Sequence, residues 1–285
     1  MLNSTEQNKK PLISIGLPVF NGANKVASAI EGILAQSYQN FELIISDNCS
    51  TDETAKICER YAAKDQRVKY IRQPENIGAT KNFQFVLEQA RGEYFFWNAG
   101  DDKRSADFIE VNVAFLEANP DYCASTSKSR DEGGYFDQYW MGDGSLDHET
   151  YEGKILAYFK GWHRNAIFYS IYRREIIANN PMVFGLTFLG HDWAIVMQAA
   201  SQGHFKRLEQ GEAIFGTGGI SASIHLLRNL RKRRIEYFFP HWELSVYLMK
   251  ISKNFSNWGR LKLFYRALLL NLSANIQRLI HIFEA

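Results

Sequence analysis

Cysteine is scarce in this chain. There are three in 285 residues, Cys49, Cys58 and Cys123, and their spacing matches neither a zinc site nor a fully paired disulfide framework. That argues against a disulfide-stapled secreted scaffold and for a reduced, cytosolic compartment. Long apolar runs are missing too. The longest charge-free stretch near the C-terminus, Ala267 to Gln277, falls short of the roughly 18 residues expected of a membrane-spanning helix. Met1 to Lys10 (MLNSTEQNKK) has no apolar core, so no secretory leader is expected. No Gly-x-x-x-x-Gly-Lys-Ser/Thr loop occurs, which removes ATPase-type phosphate cradling. Internal repeats, low-complexity tracts and a motif supporting a Ser/His/Asp triad are also lacking.

What is present suits an ordinary globular enzyme. Hydrophobic residues make up 46% and charged residues 22% of the sequence, a balance outside the disordered range. The length allows one large α/β domain with an appendage, or two small domains. Net charge is +2, but it is unevenly spread. From Leu226 to the end there are 11 Lys/Arg against 3 Asp/Glu, or +8, leaving −6 for residues 1–225. A basic tail on a mildly acidic body predicts a negatively charged surface as the tail's partner.

The first hundred residues alternate strand and helix signals. Leu12 to Leu17 reads as a buried strand stopped by Pro18. Val26, Ile30, Ile33 and Leu34 recur at helical spacing within Asn24 to Gln36. Phe41 to Ser46 is a second strand. Ser50-Thr51-Asp52-Glu53 has capping-box form ahead of a helix that buries Ile57, Cys58, Tyr61 and Ala62. Val68 to Arg72 is a third strand, Thr80 to Ala90 a helix, and Tyr94-Phe95-Phe96-Trp97 a fourth strand. Further on, the pattern predicts a helix over Ser105 to Ala118, a strand over Tyr122 to Ser127, and a polar, Gly-rich loop from Ser129 to Thr150. A strand over Ile167 to Tyr172 and a helix over Trp193 to Gln202 follow, the helix capped by Gly203. Strands joined by single helices imply βαβ units and a mostly parallel sheet, whose ligands bind beyond the carboxyl ends of the strands.

The residues just after those strand ends carry the chemistry. Asp101 and Asp102 follow the fourth strand as paired hard ligands, suited to Mg²⁺ or Mn²⁺ shared with a substrate phosphate. An isolated Asp-Asp can equally be a solvated turn before an N-cap. Asp47 ends the second strand, where it could accept a hydrogen bond from a nucleotide base or serve as a turn acid. Phe20, in Pro18-Val19-Phe20-Asn21, offers a ring for a base to stack on, or a core side chain.

In this order the pieces resemble the nucleotide-binding half of the family 2 glycosyltransferases of the GT-A fold. The family's Pro-x-Tyr-Asn-like turn is matched by Pro18, Phe20 and Asn21, with Phe in place of Tyr. Its acid-led turn is matched by Asp47, Asn48, Ser50, Thr51 and Asp52. An Asn-x-Gly…Arg-Asn stretch is matched by Asn76, Gly78, Lys81 and Asn82, with Lys where Arg is commoner. The metal motif departs in its first acid, which is Ala99 here. The resemblance is strong over residues 11–104, weaker over 105–215, and absent beyond about residue 225. It implies that Asp47 pairs with the base, uracil by preference, and that Phe20 flanks it. Asp101 would hold a ribose hydroxyl, Asp102 would ligate Mn²⁺ or Mg²⁺ on the diphosphate, and Lys81 would contact phosphate or base. It further implies that Asp192, in Leu189-Gly190-His191-Asp192-Trp193, is the base that deprotonates the acceptor hydroxyl. Read alone, Asp192 is an acid favoured at a helix N-terminus. His191 could tune the base, Trp193 could stack on a sugar, His163 could face the acceptor, and His225 could add a metal ligand or sit on the surface.

The tail pairs a basic cluster (Arg228, Arg231, Lys232, Arg233, Arg234) with aromatics and a helical apolar stripe: Leu261, Phe264, Leu268, Leu272, Ile276, Leu279 and Phe283. Such a segment suits an anionic membrane surface, a subunit contact in a homo-oligomer, or packing on the body. Nucleic acid is not expected, since no recognition motif accompanies the cations. The sequence thus predicts an α/β fold, with a GT-A Rossmann-like, mostly parallel sheet flanked by helices and a helical C-terminal extension. The predicted parts are a glycosyltransferase domain over 1–225 (nucleotide half 11–104, acceptor half 105–225) and the extension over 226–285. The expected activity is metal-assisted, inverting transfer of a sugar from a nucleotide-sugar donor, UDP-linked by preference, to a hydroxyl of a glycan or lipid-linked acceptor. The expected location is the cytoplasm or the inner face of the membrane. The competing readings are a sugar-nucleotide nucleotidyltransferase, which would want a Gly-rich basic loop after the first strand, and a non-catalytic nucleotide-sugar-binding protein.

Overall fold

The computed structural model describes residues 11–134, 141–160, 163–184, 188–216 and 234–283. Among them, eight strands form one sheet in the order β3-β2-β1-β4-β7-β6-β8-β5. The first half is a parallel block. In it β1 (Ile13–Val19), β2 (Phe41–Asp47), β3 (Val68–Arg72) and β4 (Tyr94–Trp97) alternate with α1 (Val26–Leu34), α2 (Thr54–Lys64) and α3 (Ala79–Glu88). Then come β5 (Lys103–Arg104), α4 (Phe108–Ala118), β6 (Tyr122–Asp131), α5 (Tyr151–Tyr158), a 3₁₀ turn (Ala166–Tyr169) and β7 (Ile171–Arg173). The rest comprises α6 (Arg174–Ala178), α7 (His191–Ala200), β8 (His204–Phe215), α8 (Trp242–Ile251) and α9 (Asn257–Phe283). Strands β7 and β5 run antiparallel to their neighbours, while β6 and β8 are parallel to each other.

Alternating strand residues feed two cores, one on each face of the sheet. Ile13, Ile15, Leu17, Tyr94 and Phe96 face α1, α2 and α4, whereas Phe95 and Trp97 face the side that also holds Leu244, Leu248, Leu263 and Leu270. On that second face β1 carries only small residues, because α3 lies directly on it. A Cβ on Gly16 would come within 2.6 Å of Val86 Cγ2 and 2.9 Å of Phe95 Cζ.

Several local expectations are corrected. Strand β1 runs through Pro18 to Val19, with Pro18 opposite Ser46. This is allowed because β4 pairing ends at Gly16, so Pro18 lacks no ladder bond on that side. The Ser50–Glu53 segment forms no capping box: α2 starts at Thr54 without a side-chain cap. The segment assigned to a strand over 167–172 is a 3₁₀ turn followed by a three-residue strand. Helix α7 is capped at Ser201 in right-handed geometry. Gly203 is there instead for close approach, as a Cβ would meet Cys123 Cβ at 2.7 Å. The stretch expected to loop from Ser129 begins as strand, and it buries Met141 and Asp143. His225, Arg228 and Arg231 to Arg233 lie outside the described residues, as do the side chains of Leu279 and Phe283.

Candidate active site

The register places Val19, Asp47 and Arg72 side by side, so the chain leaves β1, β2 and β3 at one edge. The first two exits are laced together. Asn21, in left-handed geometry at φ 50°, donates its amide to Ser50 Oγ at 2.9 Å and accepts from the Thr51 amide at 2.9 Å. Gly22 N donates to Thr54 Oγ1 at 2.8 Å, and Ala23 N to Asp52 Oδ2 at 3.1 Å. The Ser, Thr and Asp side chains that suggested a helix cap therefore tie the second turn to the first. Phe20 emerges from this lacing 48% exposed, which leaves an aromatic face open at the edge.

Asp47 is fully buried. Its Oδ1 accepts from the Ser50 amide at 2.9 Å and its Oδ2 from the Tyr70 hydroxyl at 2.9 Å. It shapes the turn that follows it. Asn48, also buried, donates to Asn76 Oδ1 at 2.9 Å and accepts from the Ile77 amide at 2.9 Å. Asn76 and Gly78 thereby join the same edge, and Gly78, at φ 84°, starts α3. Lys81 stands exposed one turn into that helix, while Asn82 is buried and exchanges hydrogen bonds with Ser46.

The two acids after β4 differ in environment. Asp101 is partly exposed, and Lys25 Nζ, just before α1, lies 3.5 Å from its Oδ2. Asp102 is buried; its Oδ1 accepts from the Gly216 amide at 3.2 Å. Its Oδ2 lies 3.5 Å from Arg104 NH2, yet neither atom finds a hydrogen-bond partner. The two are close enough for charge attraction but not aligned for a bond. Burial pushes the Asp102 carboxyl up to about 6; Arg104 opposes that rise and Asp101 adds to it. Arg104 is wedged between the rings of Phe108 and Phe215, 5.4 and 5.1 Å from their centroids. A Cβ on Gly216 would lie 2.5 Å from Asp101 Oδ2, so the chain leaving β8 closes over both acids.

An orphaned buried carboxylate oxygen beside a second carboxylate fits Mg²⁺ or Mn²⁺, which take few protein ligands and complete their shell with water and phosphate. Among the described residues no three His, Cys, Asp or Glu converge on one point.

Asp192 occupies the first turn of α7. Its Oδ2 accepts from Asn165 Nδ2 at 2.7 Å. Burial raises its pKa, with the Asn165 hydrogen bond and the nearby His191 pulling it back. Asn165 sits in left-handed geometry at φ 57° and accepts from the Tyr158 hydroxyl at 2.5 Å. Of the roles suggested around Asp192, those of Trp193 and His163 are corrected, while His191 keeps its influence on the carboxylate. Trp193 is buried, with His163 stacked on it at 4.2 Å and 7°. His163 is buried as well, held between the Tyr158 carbonyl and the Asn165 amide. The ring of His191 is engaged by the Met182 carbonyl.

Asn165, Arg104, Gly216 and Tyr169 were not singled out from the sequence. Tyr169 joins the two groups of acids: Asp102, Asp192 and Asp101 all raise its pKa, after burial. Paired acids at the end of β4 and a lone acid on α7 thus share one neighbourhood beyond the parallel strands.

A family model for glycosyl transferase family 2 matches residues 14–180, and the chain belongs to that family. Two Bacillus subtilis (strain 168) proteins are similar in sequence. One, provisionally named glycosyltransferase EpsE, is 37% identical over 116 residues, covering 40% of this chain and 42% of that one. The other, provisionally named teichuronic acid biosynthesis glycosyltransferase TuaG, is 35% identical over 109 residues, covering 38% and 43%. The matched stretch therefore spans less than half the length of either relative. The fold is similar to that of S. aureus TarS residues 1–349, solved alone and with UDP or UDP-GlcNAc. The TM-score is 0.66 at 18% identity, covering 90% of this chain and 70% or 71% of that one. It is also similar to a mannosyltransferase from Pyrobaculum calidifontis in complex with GDP-Man and Mn²⁺, with TM-score 0.59, 14% identity and coverage of 91% and 69%. The mixed sheet flanked by helices is thus the GT-A fold, extended by a helical C-terminal part.

Proposed function

We propose that this glycosyltransferase moves a sugar from a nucleoside diphosphate donor, UDP-linked by preference, to a hydroxyl of a glycan or lipid-linked acceptor in cell-surface polymer synthesis. Inversion by direct displacement is the proposed course. The observation that carries the reading is the pairing, beside Tyr169, of the Asp101–Asp102 edge with Asp192, a carboxylate held by the Asn165 amide. Phe20, Asn21 and the Asn48–Asn76 turn form the base end of the donor cleft, and Asp47 holds that turn in shape through Ser50 and Tyr70. Pro18 fixes the exit of β1, and Gly78 and Lys81 line the edge at the start of α3. Asp101 receives the ribose, and Asp102 would hold Mn²⁺ or Mg²⁺. When bound, that ion neutralises the charge gathering on the departing diphosphate. Asp192 takes the proton from the acceptor hydroxyl as its oxygen bonds to the anomeric carbon and the diphosphate leaves. Asn165 orients that carboxylate and opposes the rise that burial imposes on its pKa.

Asp192→Asn tests this assignment. It keeps the shape and the Asn165 neighbour but removes the basicity. Transfer should fall roughly 10²-fold or more while UDP affinity stays within about twofold of the parent. Near-parental turnover would assign Asp192 to helix capping and remove it from the mechanism.

A further inference from the structure

Helix α9 packs one face and leaves the other uncovered. Leu263, Ala267 and Leu270 enter the core. Opposite them Trp258, Leu261, Phe264, Leu268, Leu272 and Ile276 are 38 to 63% exposed. At 3.6 residues per turn these six cover roughly 120° of the helix surface. That is wider than the seam of a two-stranded coil. Cations stand just outside both edges of the arc, Lys262 on one side and Arg260 on the other, and Lys262 Nζ lies 5.2 Å from the Trp258 ring centroid. From Leu244 to Phe283 the sequence holds six Lys/Arg and no Asp or Glu.

We propose that this face of α9 lies in the surface of an anionic lipid bilayer. Its apolar arc would enter the headgroup–acyl boundary and its flanking cations would meet lipid phosphates. The charge pattern selects this occupant over a second copy of the chain. Two α9 faces brought together would oppose cations with cations; the helix itself has no acid to answer them, and Glu152 of α5, the neighbour of Lys262, is engaged by Ser256. No helix among the described residues is long and apolar enough to cross a membrane, so the helix lies along the surface. Its seating on the body is firm: Arg266 NH1 donates to the carbonyls of Leu156 and Phe159, at 2.5 and 3.2 Å, where α5 ends. Helix α5 also carries Tyr158, the partner of Asn165. Helix α5 thus links the seat of α9 to the Asn165 that holds Asp192. This suits a lipid-linked acceptor, although the surface assignment stands without the glycosyl-transfer reading.

The test is co-sedimentation of the full chain with phosphatidylcholine vesicles, with and without phosphatidylglycerol, in the absence of any donor. The protein should pellet only with the anionic vesicles at low ionic strength and be released progressively by salt. Phe264→Ser combined with Leu268→Ser and Leu272→Ser should lower the partition coefficient about tenfold or more. Arg260→Gln with Lys262→Gln, which spares the apolar face, should weaken it roughly fivefold per charge. All five side chains are outside the core, so the thermal transition should stay put in both variants. Absence of pelleting with anionic vesicles, or pelleting that neither variant changes, overturns the assignment. So does a vesicle-free dimer that the serine variant dissociates, which would give the face to a second copy.

Discussion

A carboxylate's chemistry at this site is decided by what holds each of its oxygens. Asp47 has both engaged by the protein, Asp102 has one engaged and one orphaned, and Asp192 is held on one side by Asn165. Burial lifts Asp102 to about 6, so in the proposed metal role its grip on a cation should weaken below that pH. Mn²⁺-dependent UDP affinity should therefore fall by about tenfold per pH unit below 6, measured by calorimetry from pH 7 to 5. Asp102→Asn should remove the metal dependence at every pH. Asn165 permits a second test. Asn165→Gly keeps the left-handed backbone but loses the amide that stabilises the Asp192 carboxylate. One hydrogen bond to a charged group corresponds to about tenfold or somewhat more in rate. The acid limb of the pH profile of kcat should also move upward, a change that loss of packing alone would not produce.

At the scale of elements, the β1–α3 seam is a tight constraint. Gly16→Ala forces a methyl into Val86 and Phe95, and should destabilise the fold by about 1–3 kcal/mol, read from denaturant midpoints. The elements over residues 11–97 were legible because each is an apolar run or a clean helical face between turn residues, whereas β5 at Lys103–Arg104 carries no such signal. Legibility failed where the partner is distant. Ser50, Thr51 and Asp52 have the composition of a helix cap, and nothing local reveals that Asn21 and its neighbours claim them. Asn165 and Asp192 are 27 positions apart, and a left-handed Asn carries only a weak signal of its own. Arg104 reads as a surface cation beside Lys103 until its packing between two rings is seen. Trp193 looked available to a sugar because sequence cannot show that His163 already covers its ring.

For the whole molecule, pH acts on stability through buried histidines. Burial pushes His163 and His241 down to about 4, whereas in the unfolded chain they titrate near the ordinary value of about 6.5. The unfolded state therefore binds more protons between those values, and stability falls as pH drops through that window, by up to about 3 kcal/mol for each group. Asp102 acts in the opposite sense. Its folded pKa is raised, so the native state binds the extra proton between about 4 and 6, and this term favours the fold as pH drops. Burial raises Asp143 and Asp192 in the same sense as Asp102, so the histidine contribution is the part of any decline in thermal midpoint from pH 7 to 4 that a histidine variant removes. His241→Gln should flatten that decline, which differential scanning calorimetry would reveal.

Trp97 gives the molecule its unity. The ring ending β4 lies flat on Phe168 at 4.9 Å and 8°, and its Nε1 donates to the Phe83 carbonyl at 2.9 Å. One indole thus belongs at once to the strand that delivers Asp101 and Asp102, to the helix α3 beside it, and to the turn that carries Tyr169. The acids after β4 and the acid on α7 are far apart in the sequence but share an indivisible interior. A chain severed after residue 104 would leave this indole facing water, and neither fragment could supply the surface it lost. The two groups of acids can vary separately at the rim of the sheet, but beneath it they stand or melt together.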